Sequence, residues 1–169
     1  EGGQIIDATG LVVLPGGIDV HTHFNIDVGV RAVDDFSTGT IAAAFGGTTT
    51  IVDHMGFGPK GCNLHHQLGV YKGYTNGKCV TDYGIHGVFQ DILKETEVMM
   101  ADGVSSFKMY LTYDYKLEDA DTLKVLNKLK DIGGITTVHC ENDAIIHYLR
   151  DKFVAEGKTE AKYHPQSRP

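Results

Sequence analysis

Five short apolar stretches alternate with five helix-like stretches along this chain, and this alternation limits the possible folds more than any other feature. The strand-like stretches are rich in β-branched, aromatic and apolar residues. They cover residues 18–23, 48–53, 82–89, 105–111 and 136–140, and the helix-like stretches cover 36–45, 64–74, 91–102, 117–132 and 144–156. Strands that alternate with helices form parallel sheets, because a parallel pair needs a long crossover connection. The sequence therefore predicts an α/β fold made of successive βα units.

A His-x-His pair ends the first predicted strand. His21 and His23 are two residues apart, so on a strand their side chains project to the same side and can bind one ion together. Zinc is the first choice, because imidazole suits it and a three-ligand site leaves room for a reactive water. The alternative is two exposed histidines on an edge strand. The preceding apolar residues Ile18 and Val20 favour a buried strand over that alternative.

Two further candidate ligands lie on the fourth and fifth predicted strands. Lys108 lies in an apolar stretch, where a buried ammonium costs several kcal/mol if it is unpaired. Reaction with carbon dioxide would turn this amine into a carbamate anion that can bridge two metal ions; the alternative is a lysine that reaches water from a strand end. His139 ends the fifth strand and has a hydrogen-bonded core histidine as its alternative. Sites in parallel α/β proteins gather at the carboxyl ends of strands, so these positions together predict a metal site.

The other histidines are weaker candidates for ligands of that site. His54 ends the second predicted strand, and we expect it to support the site or the fold rather than to bind metal. His65 and His66 are adjacent on a predicted helix and are expected at the surface. His86 lies inside the third predicted strand and is expected to be a hydrogen-bonded core residue.

Composition excludes several classes of partner. The chain has 169 residues with a formal net charge of −7, and its pI is near 5.6. Nucleic acids and anionic membranes need a basic face, so neither is expected as a partner. No apolar run approaches the roughly 20 residues of a membrane span, and no signal-peptide pattern opens the sequence, which predicts a cytoplasmic protein. Three scattered cysteines fit reduced thiols rather than a disulfide framework.

Six segments of the chain closely resemble the dihydropyrimidinase/hydantoinase branch of the amidohydrolase superfamily, and within it the D-phenylhydantoinases. They occur in that family's order and spacing and run through essentially the whole chain. They are residues 15–24, 34–40, 46–50, 53–59, 105–108 and 138–142.

The resemblance implies a partial (β/α)8 metal-dependent hydrolase barrel, with about five of its eight βα units in residues 15–169. It also implies that residues 1–14 are a remnant of a small β-sandwich domain and linker, and residues 4–14 predict two short strands around a turn. A complete subunit would hold two zinc ions bridged by N-carboxylated Lys108. His21 and His23 would bind one zinc and His139 the other. Relatives are commonly tetramers, so a homo-oligomer is expected.

The activity implied is that of a zinc-dependent cyclic amidohydrolase, which opens a hydantoin or dihydropyrimidine ring to an N-carbamoyl amino acid. Tyr113 corresponds to the family's tyrosine, which binds substrate and stabilises the developing oxyanion; its alternative is an aromatic packed at a turn. Tyr110 and Phe24 either line a pocket for a bulky substituent or pack in the core. The family's remaining zinc histidine and its general-acid/base aspartate would lie beyond Pro169, so this chain alone is predicted to be inactive.

Three other functions are alternatives to this one. Allantoinases and dihydroorotases are related cyclic amidases; dihydroorotases usually have an arginine where this chain has Asn25, whereas allantoinases can also have asparagine. Non-catalytic relatives of dihydropyrimidinase keep the fold and lose metal ligands, whereas all four ligand positions within this chain are retained. A cysteine hydrolase using Cys140 is set aside, because adjacent residues on a strand face opposite sides and His139 could not serve as its base.

Overall fold

Strands and helices alternate through the described chain as the sequence predicts. A computed structural model describes residues 2–59, 62–89 and 96–169. The strands are β1 (Gly17–Thr22), β2 (Thr48–His54), β3 (Asp82–Val88), β4 (Ser106–Tyr110) and β5 (Ile135–His139). The helices are α1 (Phe36–Phe45), α2 (Leu64–Thr75), α3 (Thr96–Ala101), α4 (Asp119–Ile132) and α5 (Asp143–Ala155), followed by short 3-10 turns at Ala161–Tyr163 and Pro165–Ser167.

The predicted boundaries agree with these elements to within two residues wherever the structure describes them. The third predicted helix covered residues 91–102, of which 91–95 lie outside the described residues and Thr96–Ala101 is helical. Helix α1 begins where the sequence indicates because Asp35 caps it: its carboxylate accepts from the Thr38 amide at 2.8 Å, while the Thr38 hydroxyl accepts from the Asp35 amide.

The strands form one parallel sheet in the order β1-β2-β3-β4-β5, so every neighbouring pair is joined by a βα crossover. This sheet is strongly curled. In a flat sheet β2 and β5 would be about 14 Å apart, three strand spacings. Instead the Nε2 atom of His54 on β2 lies 3.3 Å from the Thr137 hydroxyl on β5. The predicted partial barrel is therefore confirmed in its five parallel βα units.

The two faces of the curled sheet have different roles because side chains alternate along each strand. The outer face packs against the helices, where Ile51, Phe107 and Val125 are fully buried. Each large apolar side chain buried in this way contributes about 1.5–3 kcal/mol to folding. The alternate positions, including His54 and Lys108, point to the inner, concave face.

The strands predicted within residues 4–14 are not formed, and this part of the prediction is wrong. The segment contains a turn at Thr9-Gly10 and otherwise no regular structure. Its apolar side chains are exposed, from 71% for Leu11 to 93% for Ile5. A strand needs a hydrogen-bonded neighbour, and no described segment pairs with this one. The assignment of residues 1–14 to a second domain stays a prediction.

Among the described helices, none is long and apolar enough to cross a membrane.

Candidate metal centre

Three imidazoles meet at the carboxyl ends of β1 and β2. The ring centroids of His21 and His23 are 5.1 Å apart, so the pair lies on one side of the strand as predicted. The expectation that this strand is buried is wrong: β1 is an edge strand of the described sheet, and its Ile18 and Val20 are 67% and 55% exposed. His54 completes the group, with ring centroids 4.2 Å from His21 and 5.3 Å from His23. One ligand nitrogen from each of the three residues lies within 4.8 Å of the others, which is close enough for them to surround a cation.

Asp53 holds the His-x-His segment from the helix-facing side of the sheet. Its Oδ2 atom accepts hydrogen bonds from the Thr22 hydroxyl at 2.7 Å and from the Phe24 amide at 2.8 Å. These two donors flank His23, so the carboxylate fixes the backbone that presents this imidazole. Asp53 is fully buried. Burial raises the pKa of Asp53 to about 6, against the lowering effect of the two hydrogen bonds.

His54 lies among the candidate ligands, although the sequence predicted only a supporting role for it. The residue is 1% exposed, and its Nδ1 atom is buried with no hydrogen-bond partner in the described structure. The signal that could have identified it is the strand order, since β1 and β2 are neighbours and their last residues reach the same rim. His86 behaves as predicted: Nδ1 bonds the Ser106 hydroxyl at 2.6 Å and Nε2 the Val20 carbonyl at 3.0 Å.

Lys108 lies on the inner face of β4, which is where a ligand of the predicted metal site has to lie. The residue is 5% exposed, and its nearest recorded aromatic contact is the Tyr110 ring, 5.4 Å from Nζ to the centroid. No carboxylate among the described residues pairs with it. Burial lowers the pKa of Lys108, and its charge lowers the pKa of His21 and His23 in turn. The amine therefore shares the interior of the curled sheet with the imidazoles.

The histidines are held in the form that binds metal. Burial is the main cause that lowers the pKa of His21, of His23 and of His54, the last to about 3. Neutral imidazole at neutral pH is the state that coordinates a metal ion. The Nδ1 atoms of His23 and His54 are buried without partners. A metal ion would satisfy such nitrogens, so the residues present fit the predicted metal.

His139 reaches the same rim from the end of β5, with Tyr110 opposite it on β4. Its Nε2 atom lies 2.5 Å from Oε2 of Glu141 and 3.3 Å from the Tyr113 hydroxyl. Glu141 in turn is bound by Arg168, whose Nη1 atom is 2.7 Å from the same carboxylate oxygen. The charge of His139 is the smallest of the causes that lower the pKa of His21, after burial and the charge of Lys108.

Tyr113 has an unusual backbone conformation at the mouth of this face. Its φ of 75° is in the left-handed region, which costs a non-glycine residue about 1–3 kcal/mol. Its side chain is 38% exposed, so the hydroxyl is accessible to a bound molecule. Strain of this kind concentrates at functional sites, and it accompanies the position that the family resemblance selects.

An aromatic wall lies beside Tyr113. We use this name for Phe57, Tyr110 and Tyr115, whose rings are 4.3 Å apart for Phe57 and Tyr115 and 4.8 Å apart for Tyr110 and Tyr115. Tyr110 is one of these clustered aromatic residues, and its role in a substrate pocket stays a prediction. Phe24 takes the other predicted role: its ring packs edge-on against Phe36 at 5.5 Å, in the core beside α1.

Surface histidines and cysteines take no part in this site. The imidazole of His65 pairs with Asp102 at 3.1 Å on the far side of α2, and His66 is exposed. None of the three cysteines, Cys62, Cys79 and Cys140, forms a disulfide.

Comparison with known proteins gives matches over nearly the whole chain. The profile of the amidohydrolase family matches residues 12–166. D-phenylhydantoinase from Escherichia coli O139:H28 is 60% identical over 169 residues, covering 97% of this chain and 37% of that protein. The same figures hold for D-phenylhydantoinase from Shigella boydii serotype 4. The chain thus spans a little over a third of the length of the curated relatives it matches.

Solved structures give the same result. D-hydantoinase from Bacillus sp. AR9 superimposes with a TM-score of 0.90 at 39% identity, over 100% of this chain and 38% of that one. Dihydropyrimidinase from Brevibacillus agri does so with a TM-score of 0.84 at 38% identity, over 92% of this chain and 35% of that one.

Proposed function

Because the chain belongs to the amidohydrolase family, we propose that the full-length protein hydrolyses cyclic amides of the hydantoin and dihydropyrimidine class to N-carbamoyl amino acids. The observation that carries the proposal is the group of three imidazoles, His21, His23 and His54, whose ligand nitrogens lie within 4.8 Å of one another. Lys108 lies on the same concave face of the sheet. The likeness to D-phenylhydantoinases at 60% identity supports the same reaction.

The assignment of the metal-binding residues follows the family resemblance. We assign His21 and His23 to one zinc ion, His139 to a second, and carboxylated Lys108 to a bridge between them. Zinc bound there would supply a water nucleophile at neutral pH and would polarise the substrate carbonyl. The neighbouring imidazole of His54 either adds a nitrogen donor or restricts how His21 can turn, since the two ring centroids are 4.2 Å apart.

Carboxylation of Lys108 is chemically consistent with its surroundings. The neutral amine attacks carbon dioxide, forms an N–C bond and releases one proton, leaving a carbamate anion. Burial lowers the pKa of Lys108 and so favours the neutral amine that this step needs. The carbamate brings a negative charge to a face that otherwise presents imidazoles, and bound cations would compensate it.

Tyr113 is assigned to the substrate. Its exposed hydroxyl donates a hydrogen bond to the ring carbonyl oxygen, where negative charge develops as the nucleophile attacks. Removing one such donor typically costs about 2.7–4 kcal/mol of transition-state stabilisation. The aromatic wall of Phe57, Tyr110 and Tyr115 lies beside it and suits an aryl substituent on the ring. We therefore expect 5-phenylhydantoin to be preferred over dihydrouracil.

The structure argues against a carboxylate clamp of the dihydroorotase type at Asn25. The Oδ1 atom of Asn25 accepts from the Phe36 amide at 3.1 Å, at the start of α1. Its side chain is therefore engaged in the fold. Allantoinase stays open as an alternative, and so does a non-catalytic scaffold. A tetrameric assembly and a cytoplasmic location belong to the proposal and rest on the resemblance and the composition alone.

The test uses the full-length protein, purified with zinc and bicarbonate. Ring opening is measured on phenylhydantoin, dihydrouracil and allantoin, together with zinc content per chain. We expect phenylhydantoin to react fastest and about two zinc ions per chain. A preference for allantoin would favour an allantoinase, and fewer than one zinc per chain without turnover would favour the scaffold. His21→Ala should abolish activity, whereas His66→Ala, which alters an exposed imidazole on α2, should not.

A further inference from the structure

Glu141 links His139 to the polypeptide around residue 168. One oxygen of its carboxylate, Oε2, lies 2.5 Å from Nε2 of His139 and 2.7 Å from Nη1 of Arg168. The guanidinium thus holds the same carboxylate oxygen that the imidazole contacts. The function proposed above gives no role to this arrangement.

The hydrogen bond determines which nitrogen of His139 carries the proton. A carboxylate only accepts hydrogen bonds, so Nε2 must be the donor. A neutral imidazole has a single N–H, and its other nitrogen, Nδ1, then presents a lone pair. Carboxylates that hold a histidine in this way orient the ring and make the free nitrogen a better metal ligand.

The same proton position affects Tyr113. Its hydroxyl oxygen lies 3.3 Å from the Nε2 atom that bonds Glu141. If Nε2 were unprotonated, the Tyr113 hydroxyl would donate its hydrogen bond to this nitrogen and could not donate it to a substrate. Because Nε2 already carries a hydrogen, the hydroxyl cannot donate there. The Tyr113 proton stays available for an oxygen of the substrate.

We propose that Glu141 is a positioning residue that keeps His139 in the Nε2–H tautomer, which directs Nδ1 to the metal and leaves the Tyr113 hydroxyl free to donate to the substrate. This inference rests on the proposed function. Arg168 contributes by orienting the carboxylate. Without Glu141, the imidazole could adopt the other tautomer and accept from Tyr113, so the metal ligand and the oxyanion donor would be lost together.

The first test measures zinc affinity in the full-length protein, by competition with a chromophoric chelator. Glu141→Ala is expected to weaken the binding of one zinc by about 10- to 100-fold, the usual effect of removing a partner that orients a metal ligand. Glu141→Gln keeps the shape and one acceptor oxygen, so its loss should be smaller; it also provides the test if the alanine variant does not fold. Glu156→Ala is the matched control, because it removes an exposed carboxylate whose ion pair, with Lys158 at 2.6 Å, lies at the surface away from His139.

The second test separates this role from a merely structural one. Turnover of phenylhydantoin is measured at saturating zinc for Glu141→Ala, Tyr113→Phe and the double variant. If Glu141 acts partly through the Tyr113 proton, Glu141→Ala should lower kcat in the wild-type background and much less in the Tyr113→Phe background. Independent, multiplicative losses would overturn the link to Tyr113.

Failure of this inference can be told apart from failure of the proposed function. If the wild-type protein binds zinc and opens phenylhydantoin, while both Glu141 variants keep zinc affinity and kcat within about twofold, the positioning role is wrong and the function stands. If the wild-type protein itself neither binds zinc nor turns over the substrate, the proposed function is wrong, and the inference falls with it.

Discussion

Replacing Asp53 with asparagine should change how the stability of the protein depends on pH. Asp53 is fully buried and accepts hydrogen bonds from Thr22 and Phe24. Burial raises its pKa from an ordinary value of 3.8 to about 6. The protonated carboxyl is therefore favoured in the folded state relative to the unfolded chain.

The size of the effect follows from this difference in pKa. Below pH 3.8 both states are protonated and Asp53 costs no stability. As the pH rises, the unfolded state loses its proton first, and stability is lost until the pH passes the folded pKa. At about 1.4 kcal/mol for each unit of pKa difference, the cost is about 1.5 kcal/mol at pH 5 and about 3 kcal/mol at pH 7.5.

The Asp53→Asn variant removes the titration and keeps an acceptor oxygen for both donors. Its amide nitrogen replaces Oδ1, which has no hydrogen-bond partner among the described residues. That unpaired donor costs about 1–3 kcal/mol at every pH. The test of the reasoning is therefore how the difference in free energy of unfolding between wild type and Asp53→Asn changes with pH. The buried histidines contribute equally to the pH dependence of both proteins, so their contribution cancels in this difference.

The assay is urea denaturation of the metal-free full-length protein between pH 5 and pH 7.5. Relative to wild type, Asp53→Asn should gain about 1.5 kcal/mol in free energy of unfolding across this range. Asp151→Asn makes the same chemical change at an exposed position of α5 and should show no such gain. A difference between wild type and Asp53→Asn that is constant with pH would refute the reasoning.

Three further predictions concern the site and its support. Lys108→Ala should lose zinc and nearly all turnover, and a small added carboxylate should restore part of both; unchanged zinc content would contradict the bridging role. Tyr113→Phe should lower kcat by about 10²–10³-fold with zinc content unchanged, and a normal rate would exclude its oxyanion role. Tyr71→Phe should lower the free energy of unfolding by about 1–3 kcal/mol, because the buried Tyr71 hydroxyl accepts from the Gly56 amide at 2.8 Å; the exposed Tyr148→Phe should change it little, and equal effects would contradict this explanation.

Several parts of the fold and of the site could be predicted because their signals are local. The His21 and His23 imidazoles share a face because their spacing matches the period of a strand. The alternation of strand and helix patterns predicted the parallel sheet for the same reason. Residues 4–14 show the limit of such signals, since a strand-like pattern formed no strand where no neighbour pairs with it.

The sequence by itself determined the element order and the candidate ligands at strand ends, since each depends on residues a few positions apart. Only the tertiary structure decided which of these side chains meet. The contact between His54 and Thr137 joins residues 83 positions apart, and that between Glu141 and Arg168 joins residues 27 apart. Such contacts depend on strand register and on the curl of the whole sheet, which arise from the packing of all the elements together.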